Sequence, residues 1–269
     1  MQTLWLIANS MSKTTNETII AGVCDTLRAH GFAVEIRADL SQEEMPDGEA
    51  LPEVIACLGG DGTASAVIDR YGKRDVPLLV LPGGTMNLLA HRLHGDAGID
   101  AIIARAAERP DIVTLPHIVG PGFHSLVGVI AGATTAWGDM REALRSGDIE
   151  GIVEQTRAAI QSILSAPSVR IKGQDAPASA VFIEPLKGHL RAQEIKADTL
   201  SDIAQHGWAW INRRFLGGPM EPLTHACEIT LSDEEGSLAL LVDGESREVA
   251  SPVTLRWENC PARFIATYE

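Results

Sequence analysis

Two short apolar runs that each end in a glycine-rich turn constrain this chain more than any other feature. Residues 54–58 run into Gly59-Gly60-Asp61-Gly62-Thr63, and residues 78–81 run into Pro82-Gly83-Gly84-Thr85-Met86-Asn87. Each reads as a strand closing in a loop. Glycines there let backbone N–H groups face a ligand without Cβ interference. A helix beginning at Thr63 or Met86 would add the positive end of its dipole, so both turns suit an anion. A nucleotide phosphate is the natural candidate. Asp61 sets a carboxylate beside it, which is repulsive unless a cation bridges the two or the carboxylate faces a sugar hydroxyl or an acceptor. Mg²⁺ arriving with the nucleotide is therefore expected.

Around these turns the first third of the chain alternates strand and helix. Strands are expected over 4–8, 32–38, 54–58 and 77–81, and helices over 15–30 and after Thr63. This is the pattern of a parallel α/β sheet, in which ligands sit outside the carboxyl ends of strands. A further helix over 97–109 is stopped by Pro110, and from Asp111 onward strand-like runs dominate. A boundary near residue 114 follows, giving domains 1–113 and 114–269. The second opens with strands over 112–119 and 124–130, followed by a helix pair over 135–145 and 149–164. It then returns to strands over 169–171, 180–183, 190–195, 226–231, 238–242, 253–257 and 263–267, with one more helix over 200–215. The fold expected is an α/β N-terminal nucleotide domain on a parallel sheet, followed by a C-terminal antiparallel β-sandwich domain.

Composition narrows the partners. The 22 basic against 36 acidic residues give a formal charge of −14, which opposes non-specific attachment to nucleic acid or to an anionic leaflet. Any membrane contact must then be local. Arg70, Lys73 and Arg74 form one basic cluster, read as solvated surface. Arg213 and Arg214 beside Trp208, Trp210 and Phe215 form another, read as a helix packed on the sandwich, with an interfacial helix as the alternative. No apolar run reaches the roughly 18 residues of a span, and residues 1–10 lack the makings of a signal peptide, so a cytoplasmic protein is the default. Cys24, Cys57, Cys227 and Cys260 are scattered without a Cys-x-x-Cys pair and read as buried free thiols. His91 and His94 stand three apart without a third ligand and read as helix surface or cleft edge.

The P-loop and Rossmann glycine patterns and the Gly-x-Ser-x-Gly elbow are all missing. By itself, Asp243-Gly244 between two apolar runs reads as a hairpin turn. Taken in order and spacing, however, three segments resemble the diacylglycerol kinase and sphingosine kinase family of lipid kinases, with bacterial diacylglycerol-kinase-like and ceramide-kinase-like members. These are Gly59 to Thr63, then Leu81-Pro82-Gly83-Gly84-Thr85-Met86-Asn87-Leu88-Leu89-Ala90, then Asp243-Gly244-Glu245.

The resemblance implies ATP and Mg²⁺ as cofactors, a lipid substrate at a membrane surface, and a cleft between the domains where nucleotide and headgroup meet. It implies that Gly59, Gly60, Asp61, Gly62 and Thr63 form the triphosphate loop and that Thr85 adds an ATP contact beside Gly84. Asn87 then supports the second turn, and Asn9 stands for the family's early Asn-Pro loop. Glu245 becomes the proton acceptor for the lipid hydroxyl, while Asp61 and Mg²⁺ organise the γ-phosphate. A peripheral position at the inner membrane face goes with such a substrate, and no protein-held metal site is assigned. Three positions depart from the family. Asn9 is followed by Ser10-Met11-Ser12-Lys13, Ala38 stands at the end of the second strand where a Thr is usual, and Leu88 replaces an Asp. The last tilts the acceptor from diacylglycerol toward a sphingoid base or ceramide. Two rival expectations are an NAD kinase, against which residues 82–87 argue, and a non-catalytic lipid or nucleotide sensor, against which the retention of Asp61 and Glu245 argues.

Overall fold

The computed structural model describes residues 2–12, 14–47, 50–84, 87–132, 169–178, 180–195, 220–234, 236–243 and 245–268. The helices expected over 135–145, 149–164 and 200–215, the tryptophan–arginine cluster within the last of them, and Thr85, Met86 and Gly244 lie outside the described residues. Contacts divide the chain into two compact units, Met1–Leu115 with Asn259–Glu269, and Pro116–Glu258. The linear division at 113/114 assigns the last eleven residues to the second domain, whereas they pack into the first unit.

In chain order the first unit contains β1 (Gln2–Ala8), α1 (Glu17–Ala29), β2 (Phe32–Asp39), β3 (Val54–Gly59), α2 (Asp61–Tyr71), β4 (Pro77–Pro82), α3 (Leu88–His94) and α4 (Ile99–Glu108). Its strands lie in the order β2-β1-β3-β4, every neighbour parallel. Beyond β4 the sheet is completed by the end of the last strand, β15 (Val253–Ala266), with Arg263 opposite Pro77 and Phe264 opposite Leu78. Both faces are covered, which is why β3 is buried throughout and reads as an unbroken apolar run. On one face Leu4, Leu6, Ala8, Ala56 and Leu58 pack with α1 and α4. On the other, Trp5 meets Tyr71 of α2 edge to face at 6.4 Å.

Local chemistry sets the helix limits. Asn16 caps α1 by accepting the Ile19 N–H at 3.0 Å, Ile20, Val23, Cys24 and Leu27 recur on the buried side, and Gly31 at φ +89° turns the chain away. Cys24 and Cys57 are both buried, and burial followed by the nearby Asp61 charge pushes the Cys57 thiol up to about 12. Cys260 is also buried, but Cys227 is exposed, contrary to its expected burial, at the one-residue link between β11 (Met220–Ala226) and β12 (Glu228–Ser232). Arg70 and Arg74 both reach Asp47, so that basic patch is an exposed, partly neutralised surface.

The second unit contains β6 (Phe123–Ser125), β7 (Val129–Ala131), β8 (Arg170–Ile171), β9 (Val181–Leu186), β10 (His189–Ile195), β11 (Met220–Ala226), β12 (Glu228–Ser232), β13 (Ser237–Val242) and β14 (Glu245–Ala250), with β5 (Asp111–Gly120) leading in. Among the described residues, β11-β10-β9-β7-β13-β14 form a six-stranded antiparallel sheet. Its alternate residues, Val129, Val181, Ile183, Leu190, Leu240 and Val242, pack on Ile229, Leu231, Val253 and Leu255 from β12 and the start of β15. Two sheets around one core make a sandwich. The run expected as strands 253–257 and 263–267 is one 14-residue strand that continues through Asn259 and Pro261.

His94 corrects another expectation. It is 1 % exposed at the end of α3, its Nε2 donates to the Val80 carbonyl at 2.9 Å, and its Nδ1 accepts from the Thr267 hydroxyl at 2.9 Å. Burial, which outweighs the Val80 hydrogen bond and is helped by the Arg105 charge, lowers its pKa from 6.5 to about 4. The unfolded chain therefore takes up a proton that the folded chain resists. The His94 contribution is complete above pH 6.5 and is lost as pH falls through that value toward 4. Urea unfolding across this window should show a loss on the order of 3 kcal/mol that His94→Gln flattens. Equal slopes in the two proteins would refute the assignment.

Candidate functional site

Leaving β1, the chain moves to β2 on one side, while β3 lies on the other, so the strand order reverses between β1 and β3. In an open parallel sheet this reversal leaves a crevice outside the carboxyl ends of the two strands. Asn9 follows β1 and the first glycine turn follows β3, and the structure joins them. Asn9 donates its N–H to the Leu58 carbonyl at 3.1 Å and its Nδ2–H to Thr63 Oγ1 at 3.3 Å, while its Oδ1 accepts the Met11 N–H at 3.0 Å.

The two glycine turns are packed backbone to backbone. Gly83 N–H donates to the Gly59 carbonyl at 2.9 Å. A Cβ on Gly84 would stand 2.4 Å from the Gly60 Cα, and one on Gly83 would stand 2.8 Å from the Gly59 nitrogen. At Gly59 a Cβ would lie 2.6 Å from Thr63. Gly83 and Gly84 are required by the fit of one turn to the other and Gly59 by the fit to Thr63 of its own turn, reasons different from the expected ligand approach. Gly62 is the exception, since a Cβ there would meet nothing within 4 Å. Around the contact, Thr15 donates its hydroxyl to the Gly83 carbonyl at 2.8 Å and Thr14 reaches that of Gly84 at 3.4 Å. Asn87, at φ +52°, accepts the Gly84 N–H and donates back to the Gly84 carbonyl, both at 2.7 Å, which closes the second turn.

The helices begin at different residues from those expected. α2 starts at Asp61 behind Gly60, which has no capping side chain, and α3 starts at Leu88. Because the Asn87 side chain is committed to Gly84, α3 has no cap of its own. Asp61 provides one from the other turn: its Oδ2 accepts the Leu88 N–H at 3.1 Å and its Oδ1 the Leu89 N–H at 3.0 Å. The carboxylate that seemed to require a cation is answered by a helix N-terminus. Among the described residues no three His, Cys, Asp or Glu side chains gather to hold a cation by themselves. The donor set fits a metal carried in on a nucleotide rather than one caged by the protein.

Asp39, which the sequence pattern did not single out, stands beside these groups at the end of β2. It is 6 % exposed, and its Oδ1 accepts the N–H groups of Ser10 and Ser41, each at 3.0 Å. Its Oδ2 accepts from Gln42 Nε2 at 3.3 Å, and the Ser10 and Ser41 hydroxyls meet at 2.7 Å. Burial alone would raise its pKa, but these donors win and hold it at about 2. A carboxylate at the carboxyl end of a strand beside the crevice was the signal available.

In the second unit, Val242 pairs with Glu245, which leaves Asp243-Gly244 as the two-residue turn expected of the sequence. Asp243 adopts φ +46°, and its carboxylate accepts the Ser125 hydroxyl at 2.6 Å and the N–H groups of Leu126, Val127 and Gly128 at 3.2, 3.1 and 3.2 Å. Burial pushes this carboxyl above its ordinary value while these donors pull it down. Asp243 thereby ties the β13–β14 hairpin to the loop after β6. Glu245 is the exposed first residue of β14, and its backbone position follows from that tie.

Residues 3–115 match the family model described as the diacylglycerol kinase catalytic domain. No protein of curated function matches the chain in sequence. Among solved structures, one from Bacillus anthracis str. Sterne, whose diacylglycerol kinase name is itself inferred, superposes with a TM-score of 0.68 at 17% identity. A second, described as a diacylglycerol kinase from the same strain, gives 0.62 at 16%. In both cases 98% of this chain and 97% of the other are covered, so the fold is shared over the full length. The chain is thus similar to the diacylglycerol kinase catalytic domain over residues 3–115 and shares the fold of these solved structures over its full length.

Proposed function

We propose that this protein is an ATP-dependent lipid kinase that transfers the γ-phosphoryl group of MgATP to a hydroxyl of a membrane lipid. The unit of residues 1–115 with 259–269 serves as the nucleotide domain and residues 116–258 as the lipid domain. The observation that carries the reading is the open space at Gly62, in the first turn of an uncapped helix at the mouth of the β1–β3 crevice. An anion set there meets backbone N–H groups and the positive end of α2. Gly59, Gly60, Gly62 and Thr63 are the triphosphate loop, Asn9 and Thr85 are further nucleotide contacts, and Gly84 and Asn87 form the wall that Asp61 keeps in register. Mg²⁺ bound with the triphosphate would neutralise part of its charge.

Glu245 receives the lipid. A carboxylate is too weak a base to deprotonate an alcohol outright, so Glu245 orients the hydroxyl and accepts its proton as transfer proceeds. The acceptor oxygen forms its bond to the γ-phosphorus while the bond to the β-phosphate oxygen breaks, releasing ADP. Diacylglycerol, a sphingoid base and ceramide each offer such a hydroxyl, and Leu88 favours the latter two. The protein reaches them as a peripheral visitor to the cytoplasmic membrane face. No helix among the described residues is long and apolar enough to cross a membrane.

Transfer of label from ATP to extracted lipids tests this directly. Glu245→Gln should lower the rate by about 10²–10⁴-fold with MgATP affinity unchanged. Wild-type protein that labels no lipid would end the proposal, and conversion of NAD to NADP would replace it. A second pair of variants separates ligand from fold. Gly62→Ala should leave stability equal or up to about 1 kcal/mol higher, because alanine favours helix and the space is empty, yet weaken MgATP binding at least about tenfold. Gly84→Ala should instead destabilise by about 1–3 kcal/mol as its Cβ meets the Gly60 backbone. Gly62→Ala protein binding MgATP normally would show that the loop is not the phosphate site.

A further inference from the structure

The loop after β1, residues 9–12, has no apolar anchor, and its most apolar member, Met11, is 82% exposed. Yet the segment it opens touches both glycine turns, through Asn9 to Thr63, Thr15 to Gly83 and Thr14 to Gly84. Something other than packing must fix its shape. Within the loop, Ser12 N–H donates to the Asn9 carbonyl and Thr15 N–H to that of Ser12, both at 3.0 Å, which folds the segment without attaching it to the sheet. Asn9 is attached by its own N–H on the Leu58 carbonyl, and beyond it the attachment comes from Asp39. Its nearly buried carboxylate holds the Ser10 and Ser41 N–H groups on one oxygen, drawing the loops after β1 and β2 together until their serine hydroxyls meet at 2.7 Å.

We infer that Asp39 is a positioning residue for the nucleotide: by clamping Ser10 it sets the preceding Asn9 against Thr63 and so holds the β1 loop in its binding shape. The inference rests on the nucleotide-site reading above. Charge-assisted hydrogen bonds are about twice as strong as neutral ones, which suits a single group that must order a loop lacking hydrophobic support. It also accounts for a departure noted in the sequence, since the carboxylate performs at Ser10-Met11-Ser12 the stiffening that a proline in the Asn-Pro loop would give.

Direct calorimetric titration with MgATP, alongside thermal unfolding, tests the clamp. Asp39→Ala should raise the Kd for MgATP, and the KM in any lipid phosphorylation assay, by at least about tenfold with kcat within about threefold. Asp39→Asn should rescue to within about threefold of wild type, because its amide oxygen still accepts both serine N–H groups. Should Asp39→Ala fail to fold, the Ser10→Ala/Ser41→Ala double variant keeps the carboxylate and its backbone donors and loses the two hydroxyls, which bond to that carboxylate as well as to each other. It is expected to weaken MgATP binding about threefold. A lowered Tm with the Kd for MgATP unchanged would overturn the inference and leave Asp39 merely structural, as would an unchanged Kd in the double variant where Asp39→Ala does not fold. Wild-type protein that fails to bind MgATP would overturn it together with the nucleotide reading. Wild-type protein that binds MgATP but phosphorylates no lipid would strike the kinase reading alone, with the variant Kd values still deciding the role of Asp39.

Discussion

The contact between the two glycine turns is the constraint on which the first unit is built. β3 and β4 are neighbouring parallel strands with Gly59 opposite Pro82, so the chains leaving them emerge side by side and must pass within van der Waals reach. With side chains at both Gly60 and Gly84 they could not, because a Cβ on Gly84 alone would sit inside the radius of the Gly60 Cα. Once the backbones touch, the remaining contacts are short steps. Gly83 bonds to Gly59, Asn87 closes on Gly84, and α2 and α3 start close enough for Asp61 at the head of one to cap the other. The helix ends, and hence any anion site, are set by backbone shape before any ligand is considered.

Three aspartates show how an acidic chain can keep an anion site. Asp61, Asp39 and Asp243 each end on backbone N–H groups, two of them joined by serine hydroxyls, and each ties together segments far apart in sequence. A carboxylate saturated by N–H donors spreads its charge over the dipoles that hold it, and so repels a nearby phosphate less than a bare one would. The negative charge of this protein is thus partly absorbed as internal bracing. Asp61 illustrates the distinction best, since the same residue that looks like a metal ligand in sequence is a helix cap in space.

Much of this was legible in the residues. Continuous apolar runs bounded by glycine located β3 and β4, and Asp243-Gly244 gave the hairpin, because each depends on local chemistry. What stayed hidden depends on partners distant in the chain. Nothing near His94 in sequence indicates that Thr267 lies 2.9 Å away, and nothing near Asp39 indicates Ser10. The glycine turns fall between the two cases. Their existence was local information, but the reason for Gly83 and Gly84 was the other turn.

The C-terminal return bears on what counts as the catalytic-domain unit. The matched family segment ends at residue 115, yet the sheet of the first unit is incomplete there. Phe264 pairs beside Leu78 on the edge of β4, and Ile265 lies in the same core as Leu79, Leu81 and Ile103. Thr267 supplies the hydroxyl that His94 accepts, and Tyr268 lies so close to Gly95 that a Cβ there would stand 2.7 Å from its ring. A chain ending at 115 would expose the β4 edge and leave His94 buried with one nitrogen unanswered, a cost of about 1–3 kcal/mol before the lost apolar burial is counted. The first unit is therefore discontinuous. The second unit is inserted into it between 116 and 258, so the segment that completes the first unit's sheet lies far along the chain from the strand it pairs with.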